Sequence, residues 1–129
     1  MRKGIQRIDR ITYNATGLAP HTVTLRGSIT IPTGTYGYLQ FVGGSTVRTS
    51  TATTAGIAEI YVTLTPSGGT EVDVWRIGFT GTAVGSRGAA FNNPGLMLGA
   101  GDVLKVYTVD SSTGGACDYR IFVEVQIRR

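Results

Sequence analysis

Residues 119–128, Tyr-Arg-Ile-Phe-Val-Glu-Val-Gln-Ile-Arg, decide the fold. Tyr119, Ile121, Val123, Val125 and Ile127 share one parity, while Arg120, Glu124, Gln126 and Arg128 hold the other, with Phe122 among them. Successive side chains of a strand point to opposite faces, so this period of two describes a strand with one dry and one wetter side. The rhythm recurs upstream. Val23, Leu25, Ile29 and Ile31 are expected inward, with Thr22, Thr24, Arg26, Ser28 and Thr30 outward. Ala58, Ile60, Val62 and Leu64 alternate with Glu59, Tyr61 and Thr63, and Leu104 and Val106 with Lys105 and Tyr107. Half-dry strands of this kind suit two antiparallel sheets packed face to face.

Residues 70–79 break the rule. Val72 and Val74 have one parity, whereas Trp75, Ile77 and Phe79 have the other. A regular strand cannot bury both sets on one side, so an extra residue, a β-bulge or sharp bend, is predicted near Val74–Trp75. Burial on both faces, with an interface over one of them, also fits.

No stretch shows the spacing of an amphipathic helix, and nineteen Gly and nineteen Thr oppose one. Turn signals fall at Pro32-Thr33-Gly34, Gly43-Gly44-Ser45, Pro66-Ser67-Gly68-Gly69, Gly99-Ala100-Gly101-Asp102 and Ser111-Ser112-Thr113-Gly114-Gly115. They divide the chain into seven or eight strands, the pattern of a sandwich, jelly roll or partly open barrel. Residues 81–101 have little periodicity and read as an irregular crossover between sheets. The 129 residues form one domain, with 1–12 either a basic N-terminal arm or a first strand. Periodicity does not separate a jelly roll from an immunoglobulin-like order.

Charged residues make up only 16% of the chain, so Thr, Ser and Gly cover much of the surface, or other subunits do. The net charge of +4 is carried by ten Arg against two Lys, and Arg2, Lys3, Arg7 and Arg10 gather near one end. This clustering suits docking on an acidic partner or nucleic acid; it also describes solvated terminal charge, the commoner case. No run reaches the length of a nucleic-acid tail. The first residues lack the apolar run of a signal peptide, and no stretch is apolar enough to span a membrane, so a protein made in the cytoplasm is expected. Asn14-Ala15-Thr16 then matches the glycosylation sequon by chance.

Equipment for catalysis is missing. A nucleophile needs a base in reach, and His21 and Cys117 stand far apart on no informative motif. The lone cysteine forms no internal disulfide, and no cluster of metal ligands or phosphate loop occurs. Glu71 and Asp73 sit two apart and could share a cation, but such a pair on a strand is more often solvated charge. Asp102 reads as a turn residue. Arg76 beside Trp75, and Arg120 between Tyr119 and Phe122, interleave as in a single-strand-binding barrel. Yet Trp75 and Tyr119 fall on the core parity. No enzyme, cofactor or metal is expected. Tyr36, Tyr38, Tyr61 and Phe122, by contrast, fall on outward parities, where aromatics mark interfaces. With Arg2, Lys3, Arg7 and Arg10 they are the candidate partner contacts.

The segment Leu98-Gly99-Ala100-Gly101-Asp102-Val103-Leu104-Lys105-Val106, the Gly/Ser loop after it and the final alternating strand resemble small jelly-roll proteins of tailed bacteriophage virions. The resemblance is one of style over residues 20–129. It implies an antiparallel β-sandwich of jelly-roll type and the function of a capsid decoration (cement) protein, commonly trimeric, bridging subunits of the major capsid protein in the virion. Complement-C1q-like and tumour-necrosis-factor-like trimers share the style, but their secreted setting departs from this sequence. RNA-phage coat proteins share the length, but end in helices. The alternatives are a carbohydrate- or receptor-binding module using exposed tyrosines, and a single-stranded nucleic-acid-binding barrel.

Overall fold

The computed structural model describes residues 5–92 and 95–129. Nine strands are present among them: β1 (Ile5–Leu18), β2 (His21–Thr30), β3 (Tyr36–Ser50), β4 (Gly56–Thr65), β5 (Val72–Gly81), β6 (Gly85–Asn92), β7 (Met97–Leu98), β8 (Val103–Asp110) and β9 (Ala116–Arg128). Sheet A has the order β1-β9-β3-β6, with the two-residue β7 also on β3; sheet B has the order β2-β8-β4-β5. Every pairing is antiparallel. β1 pairs with β9, β2 with β8, β3 with β6 and β4 with β5, as in one long hairpin rolled so that alternate pairs fall in opposite sheets. That order is a jelly roll, not an immunoglobulin-like sandwich.

The core lies between the sheets. Ile121, Val123, Val125 and Ile127 of β9 are buried, as their parity requires, against Ala58, Ile60 and Val62 of β4 and Leu104 and Val106 of β8. The predicted irregularity in β5 is present: Val62 pairs with Trp75 and Thr63 with Asp73, leaving Val74 as the extra residue. This bulge brings Trp75 into the core while Val72 stays exposed.

Three expectations fail, each for a local reason. Val23 and Leu25 are 54% and 51% exposed, whereas Ile29 and Ile31 are buried. Leu25 pairs with Tyr107 and Gly27 with Val106, so Arg26 is an extra residue that reverses the parity of β2. Gly27 is needed there, since a Cβ would lie 2.6 Å from Ile11 Cγ2. Gly43-Gly44-Ser45 is not a turn but the middle of β3. A Cβ on Gly44 would meet the Arg120 carbonyl oxygen at 2.3 Å, so these glycines serve close strand approach. Residues 81–101 are largely strand, for β6 and β7 run along the edge of β3. β6 is an exposed edge strand, so it shows little alternation. The other turn signals lie between strands as expected.

Candidate functional site: the outer face of sheet A

The outer face of sheet A is built in cross-strand rows. Ile8, Gln126, Tyr38 and Met97 form one; Arg10, Glu124 and Phe41 the next; then Thr12, Phe122, Gly43 and Ala90; then Asn14, Arg120, Ser45 and Gly88. Leu39 pairs with Val125 and Phe41 with Glu124, so Gln40 is an extra residue in β3. The shift puts Phe41 on the same face as Tyr36 and Tyr38, although its number has the opposite parity. Its ring packs edge-on against Phe122 with centroids 5.5 Å apart.

Gly43 shapes this face. A Cβ there would sit 3.0 Å from the Phe41 ring and from Ala90 Cβ, so the floor between the aromatics is bare backbone. The result is a groove of about 640 Å³ whose lining includes Phe41, Phe122, Gly43 and Ala90, with Thr12, Asn14, Ser45 and Arg120 as its polar members. A second hollow of about 510 Å³ is lined by Tyr38, Gln40, Met97, Gln126 and Arg128. Arg128 donates to Gln126 Oε1 at 2.7 Å, and Arg10 pairs with Glu124 at 3.4 Å.

Of the candidate contacts, Arg10, Tyr36, Tyr38 and Phe122 are thus gathered on one face. Arg7 is not with them: it lies on the other parity of β1, paired with Asp9 at 2.9 Å. Arg2 and Lys3 lie outside the described residues. Arg7 and Arg10 belong to β1 and pair with β9, so removing residues 1–10 would strip the edge of the sheet rather than a free arm.

Tyr61 is on the outer face of sheet B, and the sequence reading overstates its exposure. It is only 9% exposed. Tyr107 stacks on it at 5.1 Å and the Arg76 guanidinium lies 4.4 Å from its ring centroid. Arg76 is held by Glu59 at 3.1 Å and Asp73 at 2.9 Å, and Tyr107 donates to Glu71 at 2.8 Å. Burial raises the Glu59 carboxyl against the pull of Arg76, and bonds from Thr63 and Tyr107 lower Glu71. Burial and the bond to Glu71 push the Tyr107 phenol up to about 12. Glu71 and Asp73 therefore have separate partners instead of sharing a site. This face is self-satisfied, whereas sheet A is hollowed.

A second polar constellation lies inside the sandwich. The Arg48 side chain, wholly buried, donates to Ser112 Oγ at 3.1 Å and faces Asp110 at 3.6 Å. Asp110 also accepts from the Ser112 backbone at 3.0 Å and from Cys117 Sγ at 3.5 Å. Burial works to raise Asp110, but the Ser112 bonds and the Arg48 charge prevail and hold it below the usual carboxylate value. Burial and the Asp110 charge push the Cys117 thiol up to about 11. The Tyr119 hydroxyl lies beside that thiol without a conventional hydrogen bond, and burial raises its pKa.

His21 reaches this region too, its ring 5.7 Å from that of Tyr119. Its Nδ1–H donates to the Ala19 carbonyl at 2.9 Å, and Nε2 accepts from Thr108 Oγ1 at 2.8 Å, a hydroxyl that accepts in turn from Arg26. So the fold brings His21 and Cys117 to the same tyrosine, which their spacing did not suggest. Both ring nitrogens are engaged elsewhere, and a thiol with so high a pKa is a poor nucleophile. Asp102 holds its turn, accepting from Gly99 N at 2.7 Å and Ser67 N at 2.9 Å. Sequence reasoning missed Arg48, whose only signal is an arginine two residues after Thr46 on the inward parity, obscured by the glycines before it. Phe41 was hidden by the Gln40 bulge.

The fold places the chain among all-β sandwich and jelly-roll proteins. No protein-family model matches the sequence, and no curated protein shows significant similarity. Among solved structures, a chain of the infectious bursal disease virus Gx strain matches at 15% identity with a TM-score of 0.46, over 96% of this chain and 36% of that one. This chain thus spans about a third of that viral chain. TmCBM61 in complex with β-1,4-galactotriose matches at 15% identity and a TM-score of 0.39, covering 98% and 86% of the two chains. A Bacillus endospore appendage protein matches at 16% identity and a TM-score of 0.34, covering 99% and 89%. These neighbours are structural or binding proteins.

Proposed function

We propose that this chain is a structural protein of a virus particle, specifically a decoration protein that attaches to a bacteriophage capsid and bridges its subunits. The observation that carries the assembly reading is the end of sheet A's outer face around Ile8, Tyr36, Tyr38 and Met97. Met97 is 55% and Ile8 38% exposed, beside two half-buried tyrosines, with Arg10, Gln126 and Arg128 at hand. Large apolar and aromatic side chains with arginine alongside are the composition of protein-binding surfaces. The bacteriophage assignment rests on the sequence resemblance, and the jelly-roll order, common in capsid and lectin domains, is compatible with it. Trimerisation would multiply a modest affinity per protomer through simultaneous attachment.

The test is binding of purified protein to capsids that lack it. Replacing Tyr38 and Met97 by Ser should empty the shells while leaving the unfolding midpoint nearly unchanged; undiminished occupancy would sink the proposal. Sedimentation equilibrium decides the trimer.

The Phe41–Phe122 groove supports a second reading, a carbohydrate-binding module. A concave, mostly apolar site with a few convergent polar groups suits a sugar ring. Binding on a glycan array without binding to capsids would favour it.

A further inference from the structure

We propose that the Phe41–Phe122 groove binds the pyranose ring of an acidic sugar, and that Arg120 receives the sugar's carboxylate. The proposal rests on the carbohydrate reading and adds the charge of the ligand to it.

Two adjacent rows of the sheet supply the two halves of the site. Thr12, Phe122, Gly43 and Ala90 lie across one, Asn14, Arg120 and Ser45 across the next. Neighbouring rows on one face are two residues apart along each strand, about 6.6 Å, comparable to the breadth of a sugar ring. A ring resting on the bare backbone of Gly43 therefore has aromatic carbon at one margin and the polar row at the other. The C–H face of a pyranose packs well on such carbon, while its substituents need donors and acceptors. The Asn14 amide and the hydroxyls of Thr12 and Ser45 provide both.

Arg120 makes the choice between neutral and acidic ligands. It is exposed, lines the groove and has no ion-pair partner among the described residues. Arg10, two rows away, is compensated by Glu124, and Arg76 on the other sheet by Glu59 and Asp73. An uncompensated guanidinium beside an apolar floor is matched by one carboxylate, which it grips through two parallel N–H bonds. A nucleic-acid strand would call for a series of cations along its phosphates. Neither row flanking Arg120 offers one, the row on one side holding Asp118, and Arg10, two rows away, is paired with Glu124. A neutral sugar would leave the guanidinium without a counter-charge. A uronate carries the ring and the single carboxylate together.

Calorimetric titration of the full chain with a tri-galacturonate and with the neutral trisaccharide of the same linkage tests this. The wild type should bind the uronate about tenfold more tightly, weakening with salt. Arg120→Gln should abolish that preference, bringing the uronate's affinity to that of the neutral sugar, and Asn14→Ala should weaken both ligands. Both side chains are exposed, and unchanged thermal midpoints will verify that the variants fold. Equal affinity for the two sugars, untouched by Arg120→Gln, would overturn the acidic assignment and leave the carbohydrate reading standing. Binding to neither sugar overturns both.

Discussion

The two ends of the sandwich interior are built from the same strands by opposite means. At one end Ile31, Leu39, Leu98, Leu104 and Ile127 are 0–1% exposed and fill the space between the sheets. There even a methyl group on Gly37 would force a neighbour to move, since its Cβ would lie 2.7 Å from Ile31 Cδ1. At the other end β3, β8 and β9 contribute Arg48, Asp110, Cys117 and Tyr119 to the equivalent inward positions. Burial of apolar surface has no direction, so the first end loses stability in proportion to what is removed. The second depends on a few directed bonds around a charge, and removing one partner strands the other.

The sharpest way to break this comparison is Asp110→Ala, which leaves the Arg48 guanidinium buried and unpaired. It should cost about 3–5 kcal/mol in urea unfolding. The double change Arg48→Met with Asp110→Leu should recover most of that loss. A single variant no worse than a surface substitution would show that the polar end contributes nothing. Leu39→Ala at the apolar end should cost about 3 kcal/mol. No second substitution there should restore it without refilling the volume.

Acid should separate the ends further. The folded pKa of Asp110 lies below its ordinary value of 3.8, so its contribution is complete above that value and disappears as the pH falls through the folded one. The gap between wild type and Asp110→Asn should therefore narrow in strong acid, whereas the Leu39→Ala deficit stays constant with pH. A gap that widened in acid would contradict the Ser112 and Arg48 contacts. The smallest effect is chemical. A disulfide reagent at neutral pH should label Cys117 only as fast as the molecule opens, and Asp110→Ala should quicken labelling more than Leu39→Ala does.

The apolar end was legible in the sequence because Ile121 to Ile127 and Leu104 to Val106 alternate without interruption. The bulge at Val74 was legible too, since two apolar parities collide within one strand. The bulge at Arg26 was not. Val23, Leu25, Ile29 and Ile31 all have the same parity, so an inserted residue between them leaves no trace in periodicity. The same limit hid Phe41 behind Gln40. The polar end was invisible for a different reason: Arg48 and Asp110 are 62 residues apart, 110 − 48, and only the rolling of the hairpin brings them together. Tyr36, Tyr38 and Phe122 could be placed on outward parities, but not on a common sheet, because strand order is a tertiary fact.

The pairing of β1 with β9 bears on how the molecule is made. Arg10 meets Glu124 across 114 residues, so β1 is synthesised well before the strand that pairs with it exists. Throughout that interval an extended segment with unpaired amides is exposed to other nascent chains. Arg7, Asp9 and Arg10, set among the apolar residues of β1, place charge where stray strand pairing would begin. Their usefulness thus lies in the seconds before the sandwich closes as well as in the folded molecule.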